Sequence, residues 1–277
     1  MKAAAFDYVR ADSVGDAIDA LAADGARVLA GGQSLVPLLN MRLARPSLLV
    51  DVNGLDDLAY IRRTDDVVEI GALTRQRAVE TSEVVRRDLP LLAQALRHVG
   101  HVTTRNRGTL GGSLAHADPA AELPAVALAL DAELVVRGPS GDRAVRALDF
   151  FESPFRTVLT SGELLVAVRV PVQRGACAIE ELSRRSKDLP LVAVFVTFEP
   201  ADGRIRIAVA GAGPTPIRAR AAEELLAGRT LTDDVITEAA REIAAAADPP
   251  SDLHAPADYR RDMAAVLGRR ALTKAVR

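Results

Sequence analysis

The segment Ala30-Gly31-Gly32-Gln33-Ser34 follows directly on an apolar, strand-like run over residues 27–30. Glycines at the end of a strand let backbone N–H groups approach an anion closely, because no Cβ stands in the way. Gln33 and Ser34 add side-chain donors. The segment is neither a P-loop, since no lysine follows at Walker spacing, nor the G-x-G-x-x-G pattern of a Rossmann fold. Taken alone, such a Gly-Gly pair is more often a tight turn than a phosphate-binding loop.

A second glycine-rich segment stands just before a predicted helix and reads Arg105-Asn106-Arg107-Gly108-Thr109-Leu110-Gly111-Gly112-Ser113. Three glycines, two hydroxyls and two arginines fall within these nine residues. A helix N-terminus preceded by glycine-rich backbone is suited to a pyrophosphate. Asp118 and Glu122 begin the helix that follows. They either accept hydrogen bonds from sugar hydroxyls or complement the helix dipole without a ligand. Two such segments in one near-neutral chain indicate a ligand with a diphosphate in its middle and a further group at each end.

Helical and strand-like periodicities surround the two segments, and the composition changes near residue 173. Residues 1–173 alternate between helices, at 13–23, 89–99 and 114–130, and strands, at 27–30, 48–52, 67–70, 134–137, 145–150 and 164–170. Ser13 is the candidate N-cap of the first helix. Residues 174–277 carry three strands that predict an antiparallel sheet, at 176–183, 191–199 and 204–210, and then three helices, at 218–226, 232–247 and 256–272.

Composition and charge exclude several functional classes. The 277 residues include 35 Lys+Arg and 37 Asp+Glu, so the net charge is −2. This balance argues against a nucleic-acid binder and against a polybasic membrane clamp. No apolar run reaches the length of a membrane span, and the N-terminus is not a secretory signal, so the expected location is cytoplasmic. The single cysteine, Cys177, excludes an internal disulfide and an iron–sulfur cluster held by the chain's own thiolates.

Other reactive side chains carry weaker signals. Three histidines, His98, His101 and His116, have no carboxylate or thiol at metal-ligand spacing, so no metal site is predicted. Cys177 opens a predicted strand between two alanines and is interpreted as buried and inert. The charged cluster at 184–188 is either a solvated turn or the edge of a ligand or redox-partner site.

In their order and spacing, the two glycine-rich segments resemble the two FAD-binding motifs of the flavoprotein subunits of molybdenum hydroxylases. This family includes the carbon monoxide dehydrogenase medium subunit and the xanthine dehydrogenase FAD subunit. Further resemblance covers essentially the full length, in the segments 42–53, 70–74, 105–122, 150–165 and 251–272.

The resemblance implies an α+β fold. Residues 1–173 would form a vanillyl-alcohol-oxidase-type FAD-binding domain of two α+β subdomains, divided near 55–60 with FAD between them. Residues 174–277 would form a C-terminal domain with a three-stranded antiparallel sheet and a small helical bundle, which agrees with the strand and helix count above.

The resemblance also implies the site. FAD would be held non-covalently, with its diphosphate between a first group of residues, Leu29, Ala30, Gly31, Gly32, Gln33, Ser34 and Leu35, and a second, Thr109, Gly111, Gly112 and Ser113. Asp118 and Glu122 would lie near the sugar hydroxyls, and Leu165 near the edge of the flavin or adenine. The chain departs from the family at Gln33, where Thr or His is frequent. It also has Val99 where eukaryotic xanthine dehydrogenases have a phenylalanine against the flavin.

By the same resemblance, the chain is an electron-transfer subunit. Iron–sulfur clusters would lie on a small partner subunit and molybdopterin on a large one. The lone cysteine agrees, because one thiol cannot hold the two clusters of a complete hydroxylase. No catalytic side chain is expected, since the cofactor carries the electron chemistry. Two alternatives stay open: a free-standing FAD-dependent oxidoreductase, and a scaffold that has lost its cofactor, against which the intact glycines argue.

Overall fold

The computed structural model describes residues 2–277 of the chain. It begins with a small parallel sheet of three strands in the order β1-β3-β2, with two helices between them. The elements are β1 (Asp7–Arg10), α1 (Val14–Leu21), β2 (Ala26–Leu29), α2 (Leu35–Asn40) and β3 (Leu48–Asp51). Ser13 caps α1, as its sequence predicts, by accepting a hydrogen bond from the N–H of Asp16 at 3.1 Å. The buried face of α1, formed by Ala17, Ile18 and Leu21, fixes this helix on the sheet.

A five-stranded antiparallel sheet in the order β4-β5-β10-β6-β7 follows, covered by short helices. Its strands are β4 (Ile61–Thr64), β5 (Val67–Gly71), β6 (Glu133–Gly138), β7 (Gly141–Arg146) and β10 (Leu164–Pro171). The helices are α3 (Gln76–Thr81), α4 (Glu83–Asp88), α5 (Pro90–Ala95), α6 (Val102–Arg107), α7 (Leu110–His116), α8 (Glu122–Ala129) and α9 (Ala147–Phe150). A 3-10 turn (Asp56–Leu58) and a small hairpin of β8 (Phe151–Ser153) and β9 (Arg156–Thr157) complete this part.

The C-terminal part is an antiparallel sheet in the order β11-β12-β13-β14 with three helices on one face. Its elements are β11 (Ala176–Leu182), β12 (Val192–Glu199), β13 (Arg204–Ala210), β14 (Ile217–Arg218), α10 (Arg220–Leu226), α11 (Asp233–Ala245) and α12 (Ala257–Val276). Successive side chains of β12 point to opposite faces of the sheet. Val194 and Val196 pack with the three helices, whereas Ala193 and Phe195 belong to the core around α8. The predicted antiparallel sheet is confirmed, with the two-residue β14 added to its three strands.

Two predicted elements are wrong. The predicted helix over 114–130 is two helices, because the chain leaves the helical path at Ala117, whose φ is +52°. Pro119 then disfavours helical geometry at Asp118, and α8 starts only at Glu122. The predicted strand over 145–150 ends at Arg146 and becomes α9, whose last residue, Phe150, is fully buried. The apolar pattern at the end of the predicted strand therefore reflects burial of the side chains and does not indicate a strand.

Among the described residues 2–277, no helix is both long enough and apolar enough to cross a membrane.

Candidate functional site

A cleft of about 1010 Å³ opens beside the carboxyl end of β2 and the start of α7. Its walls come from five places in the chain: the segments 21–35, 99–122, 152–163 and 187–189, and the single residue Gln76. Both glycine-rich segments contribute to it. The cleft therefore brings together regions that lie about 80 residues apart in the sequence.

The first glycine-rich loop presents backbone donors without protein acceptors. Across the part of the chain that the structure describes, the N–H groups of residues 31–34 donate to no other residue. Gly32 has a φ of +72°, a left-handed conformation that glycine adopts without strain. The Gln33 amide donates to the carbonyl of Gly31 at 3.2 Å and so stabilises the turn itself. Several free amides in one turn form a nest suited to an anion.

The second loop begins α7 and touches the first. Thr109 is the N-cap of α7, and its hydroxyl accepts a hydrogen bond from the N–H of Gly112 at 3.0 Å. A Cβ on Gly31 would lie 2.8 Å from the Cα of Gly108, and one on Gly112 would lie 3.8 Å from the Cβ of Ala30. Glycine is thus required at Gly31 by the close approach of two backbones.

Two polar side chains fasten the loops to each other. The Asn53 amide donates to the carbonyls of Ala30 at 2.8 Å and Leu29 at 3.3 Å. Arg75 donates from Nη2 to the Asn53 side-chain oxygen at 2.9 Å and from Nη1 to the carbonyl of Arg107 at 2.6 Å. One chain of hydrogen bonds therefore runs from the first loop to the second and fixes the distance between them.

The two arginines of the second segment are not positioned as anion ligands. Arg105 is only 5% exposed and pairs with Glu80, with Nε 2.9 Å from Oε2. Its Nη1 donates to the carbonyls of Val99 at 2.9 Å and Gly100 at 2.8 Å, so it organises the turn before α6. Arg107 is exposed outside the cleft. Neither arginine side chain lines the cleft.

Beyond the second segment, two carboxylates line the cleft in different surroundings. Asp118 accepts a hydrogen bond from the N–H of Ala120 at 2.9 Å. Glu122 is 3% exposed, and burial raises its pKa to about 7. No side chain of residues 2–277 forms a salt bridge or side-chain hydrogen bond with Glu122. A carboxyl buried without a side-chain partner is costly unless it is protonated or meets a ligand donor.

The structure brings most of the predicted binding residues into one cleft. Those that line it are Ala30, Gly31, Gly32, Gln33, Ser34, Leu35, Thr109, Gly112, Ser113, Asp118 and Glu122. Three others do not line it. Leu29 ends β2, Gly111 packs against Ala72, and Leu165 is buried in the core where β10 pairs with β6. Val99, which the family resemblance singled out, does line the cleft.

Several residues that line the cleft belong to no sequence motif and could not be predicted from the sequence. The buried Gln76 lines the cleft, and its Oε1 has no hydrogen-bond partner. Phe155 has a φ of +60°, and its ring lies 5.1 Å from that of His116. Lys187 and Leu189, from the predicted charged turn and just beyond it, also reach the cleft. These residues come from segments far apart in the sequence and share no spacing with either motif.

The described residues hold no cluster of three or more His, Cys, Asp or Glu that could bind a metal. Cys177 is a free thiol on β11, and burial raises its pKa. Its Sγ accepts a contact from the Gln94 amide at 3.5 Å. The residue is half-buried and not fully buried as predicted. A thiol with a raised pKa is a poor nucleophile, which agrees with the prediction that it is inert.

Two family models match the chain in sequence order. Residues 4–173 match the FAD binding domain in molybdopterin dehydrogenase, and residues 178–275 match the CO dehydrogenase flavoprotein C-terminal domain.

Similar proteins match over nearly their whole length. The 6-hydroxypseudooxynicotine dehydrogenase complex subunit alpha of Paenarthrobacter nicotinovorans is 44% identical, covering 100% of this chain and 96% of the relative. The glyceraldehyde dehydrogenase medium chain of Sulfolobus acidocaldarius is 37% identical, covering 95% of each. A chain in the solved carbon monoxide dehydrogenase of Hydrogenophaga pseudoflava superposes with a TM-score of 0.95 at 36% identity, covering 100% of this chain and 99% of that one. This chain therefore belongs to the FAD-binding medium subunits of the molybdenum hydroxylases, and it is an oxidoreductase subunit with an FAD-binding domain, as its two glycine-rich motifs predicted.

Proposed function

We propose that the cleft binds one FAD non-covalently, with its diphosphate between the two glycine-rich loops. The observation that carries this proposal is the contact of these loops across the cleft, with free amides on the first and the capped start of α7 on the second. Backbone N–H groups and a helix N-terminus together favour a phosphate group. FAD bound there would supply one- and two-electron transfer.

The other residues of the cleft fit the remainder of such a ligand. A volume of about 1010 Å³ suits a large, extended cofactor, since ligand pockets span roughly 300–1,000 Å³. Asp118 and the buried Glu122 would accept hydrogen bonds from the sugar and ribityl hydroxyls, and Glu122 has no side-chain partner in the protein to compete for them. Ser34 and Ser113 add hydroxyl donors. Leu165, in the core, would act on the cofactor only through the strand that it stabilises.

The chain would work as the electron-transfer part of a cytoplasmic heteromeric enzyme. Electrons would come from iron–sulfur clusters on a small partner subunit, which receives them from a large molybdopterin subunit, and leave for an external acceptor. The single Cys177 supports this division, since the chain cannot ligate such clusters itself. The similar proteins are named for chemically unrelated substrates, 6-hydroxypseudooxynicotine, glyceraldehyde and carbon monoxide, so the substrate would be selected outside this chain. We place the boundary between the FAD-binding and C-terminal domains near residue 173, and that between the two subdomains near 55–60.

Co-purification from the source cell, with flavin and metal analysis, tests both parts of this proposal. We expect one FAD per chain and a complex with two further subunits, one of which carries iron and the other molybdenum. In anaerobic assays, substrate should bleach the flavin only after those subunits are added. Bleaching at a physiological rate by this chain alone would favour a free-standing FAD enzyme. A colourless native protein would refute FAD binding itself.

A further inference from the structure

A buried ion pair lies behind one wall of the cleft. Glu80 of α3 is 8% exposed, and Arg105 of α6 pairs with both of its carboxylate oxygens, Nε with Oε2 at 2.9 Å and Nη2 with Oε1 at 3.3 Å. Neither residue lines the cleft. A buried ion pair is weak evidence for a gain in stability, because the loss of hydration offsets the attraction. The role of this pair is therefore indicated by the further groups that it holds.

Arg105 holds the backbone of the cleft wall. Its Nη1 donates to the carbonyls of Val99 at 2.9 Å and Gly100 at 2.8 Å, and these two residues line the cleft. All peptide bonds of residues 2–277 are trans, so the C=O and N–H of each peptide point in opposite directions. Because both carbonyls point to the arginine behind the wall, the N–H groups of Gly100 and His101 point away from it, to the cleft side.

These two N–H groups have no acceptor in the part of the chain that the structure describes. Over residues 2–277, neither the N–H of Gly100 nor that of His101 donates to another residue. Gly100 is half-buried and His101 is exposed, so both amides are accessible to a ligand. The φ of Gly100 is +45°, a left-handed conformation that glycine adopts without strain. Consecutive free amides in such a turn suit an electron-rich acceptor on a ligand.

The same end of the cleft offers apolar surface. Val99 and Leu189 both line it, and Lys187 fastens its own turn to this wall by donating to the carbonyl two residues before Val99. Leu189 is 54% exposed, so this end stays open to a redox partner. The segments 21–28 and 159–163 line the other end and carry acidic and basic side chains. The Val99 end therefore suits a planar, largely apolar ring that has acceptor atoms on its edge and exchanges electrons with a partner.

We propose that the Glu80–Arg105 pair positions this wall so that the N–H groups of Gly100 and His101 donate hydrogen bonds to an acceptor atom of the flavin ring. This inference rests on the proposed function. Reduction makes the ring carbonyls of a flavin more negative, so amide donors stabilise the reduced form more than the oxidised form. Glu80 and Arg105 are positioning residues, since they act on the cofactor only through the backbone that they hold.

Removal of one donor tests the proposal directly. His101→Pro deletes the N–H, and the φ of His101 is −85°, close to the value of about −65° that proline requires. His101→Ala is the matched control, because it removes the imidazole and keeps the N–H. The reduction potential of FAD on the full chain is measured by equilibration with a reference dye. We expect the equilibrium constant for reduction to fall about tenfold in His101→Pro, the order of one hydrogen bond to a charged group, which is about 30 mV for a two-electron couple.

A second variant tests the positioning pair. Arg105→Lys keeps a positive charge beside Glu80 but replaces the planar fork by one ammonium group, which cannot hold the carboxylate and two carbonyls together. We expect it to lower the potential by a similar amount at unchanged FAD content. The control is Arg77→Ala, because Arg77 Nη1 also pairs with Glu80 Oε2 at 2.9 Å but donates to neither carbonyl of the wall. In infrared spectra, a flavin carbonyl band should move to higher frequency in His101→Pro and Arg105→Lys and stay in place in both controls.

The outcomes separate a contact with the flavin from a purely structural role. A wild-type potential in either His101→Pro or Arg105→Lys, with FAD bound, would overturn the proposal. An equal shift in the two controls would also overturn it, as would loss of FAD from both test variants. If one test variant does not fold, the other decides against its own control. If the wild-type chain binds no FAD, the proposed function fails and this inference fails with it.

Discussion

Replacing Gly31 by alanine should separate the two glycine-rich loops. The new Cβ would press on the carbonyl oxygen of Arg107 and lie 2.8 Å from the Cα of Gly108, and neither backbone atom can rotate away. The backbone at Gly31 has no positive φ, so alanine is tolerated conformationally and the effect is purely steric. The first loop must therefore shift away from the second, taking its free amides out of register with a diphosphate.

The size of the effect follows from the hydrogen bonds at stake. A hydrogen bond to a charged group contributes about 1.5–3 kcal/mol. Losing two would weaken FAD binding by about 3–6 kcal/mol, and each 1.4 kcal/mol is tenfold in Kd. We therefore expect Kd to rise between about 100-fold and 10,000-fold. Overpacking destabilises a fold by about 1–3 kcal/mol, against a total of roughly 5–15 kcal/mol, so the variant should stay folded.

The assay is a fluorescence titration of apoprotein with FAD, together with urea unfolding. Gly15→Ala is the matched control, because Gly15 lies at an exposed position of α1 and its Cβ would lie 3.6 Å from the Ser13 hydroxyl. The Gly15→Ala variant should bind FAD normally and gain about 0.5–1 kcal/mol of stability.

Gly111→Ala serves as a second comparison, a variant in which the fold itself should be destabilised. Its Cβ would meet the carbonyl oxygen of Ala72 at 2.8 Å inside the core, so it should lower stability first. A Gly31→Ala protein that binds FAD as tightly as the Gly15→Ala control would refute the reasoning.

Three further results are expected. Arg75→Ala removes the hydrogen bonds that join the two loops. The loss of about 1–2 kcal/mol should lower FAD affinity by roughly tenfold, with little change in the midpoint of urea unfolding. Unchanged affinity would show that the loops keep their spacing without Arg75. Because burial raises the pKa of Glu122 to about 7, the folded apoprotein keeps a proton that the unfolded chain loses above about pH 4.3. Its contribution to stability is present below that pH and is lost toward pH 7, by at most about 1.4 kcal/mol per pH unit, and Glu122→Gln should flatten this slope in urea titrations at several pH values. Acid precipitation of the yellow protein should release all flavin into the supernatant, since no cysteine or histidine stands where the family pattern would attach it; colour in the pellet would contradict non-covalent binding.

Local signals predict the Ser13 cap and the antiparallel strands β11 to β13, whereas the family resemblance predicts the fold class. The cap and the strand alternation depend on neighbours a few residues away, and the structure confirms both. The structure also brings the two glycine-rich segments into one cleft. Long-range partners were beyond this reasoning. No local pattern near Arg105 predicts its pairing with Glu80, which lies 25 residues earlier in the sequence.

The same limit explains Leu165 and Gln76. Leu165 lies in a buried strand whose two faces are both apolar, so its alternation cannot show whether it points to the cleft or to the core. Gln76 begins a short helix with no motif around it. The isolated pairing of Arg75 with Thr109 and the hydrogen bond from the N–H of Gln76 to the carbonyl of Gly108 at 2.8 Å bring it to the second loop. Side chains that stabilise a site from distant positions in the sequence form no recognisable sequence pattern with its motifs.

The complete burial of α8 has a consequence for how the chain can be divided. Every residue of this helix is enclosed, and its neighbours include Phe195 and Ala208 of the C-terminal sheet as well as the core of the five-stranded sheet. Cutting the chain near residue 173 would leave one fragment with an uncovered apolar helix and the other with an uncovered apolar sheet face. Such fragments should aggregate when produced alone and regain solubility when expressed together. The two regions that match separate family models should therefore unfold together as a single cooperative unit.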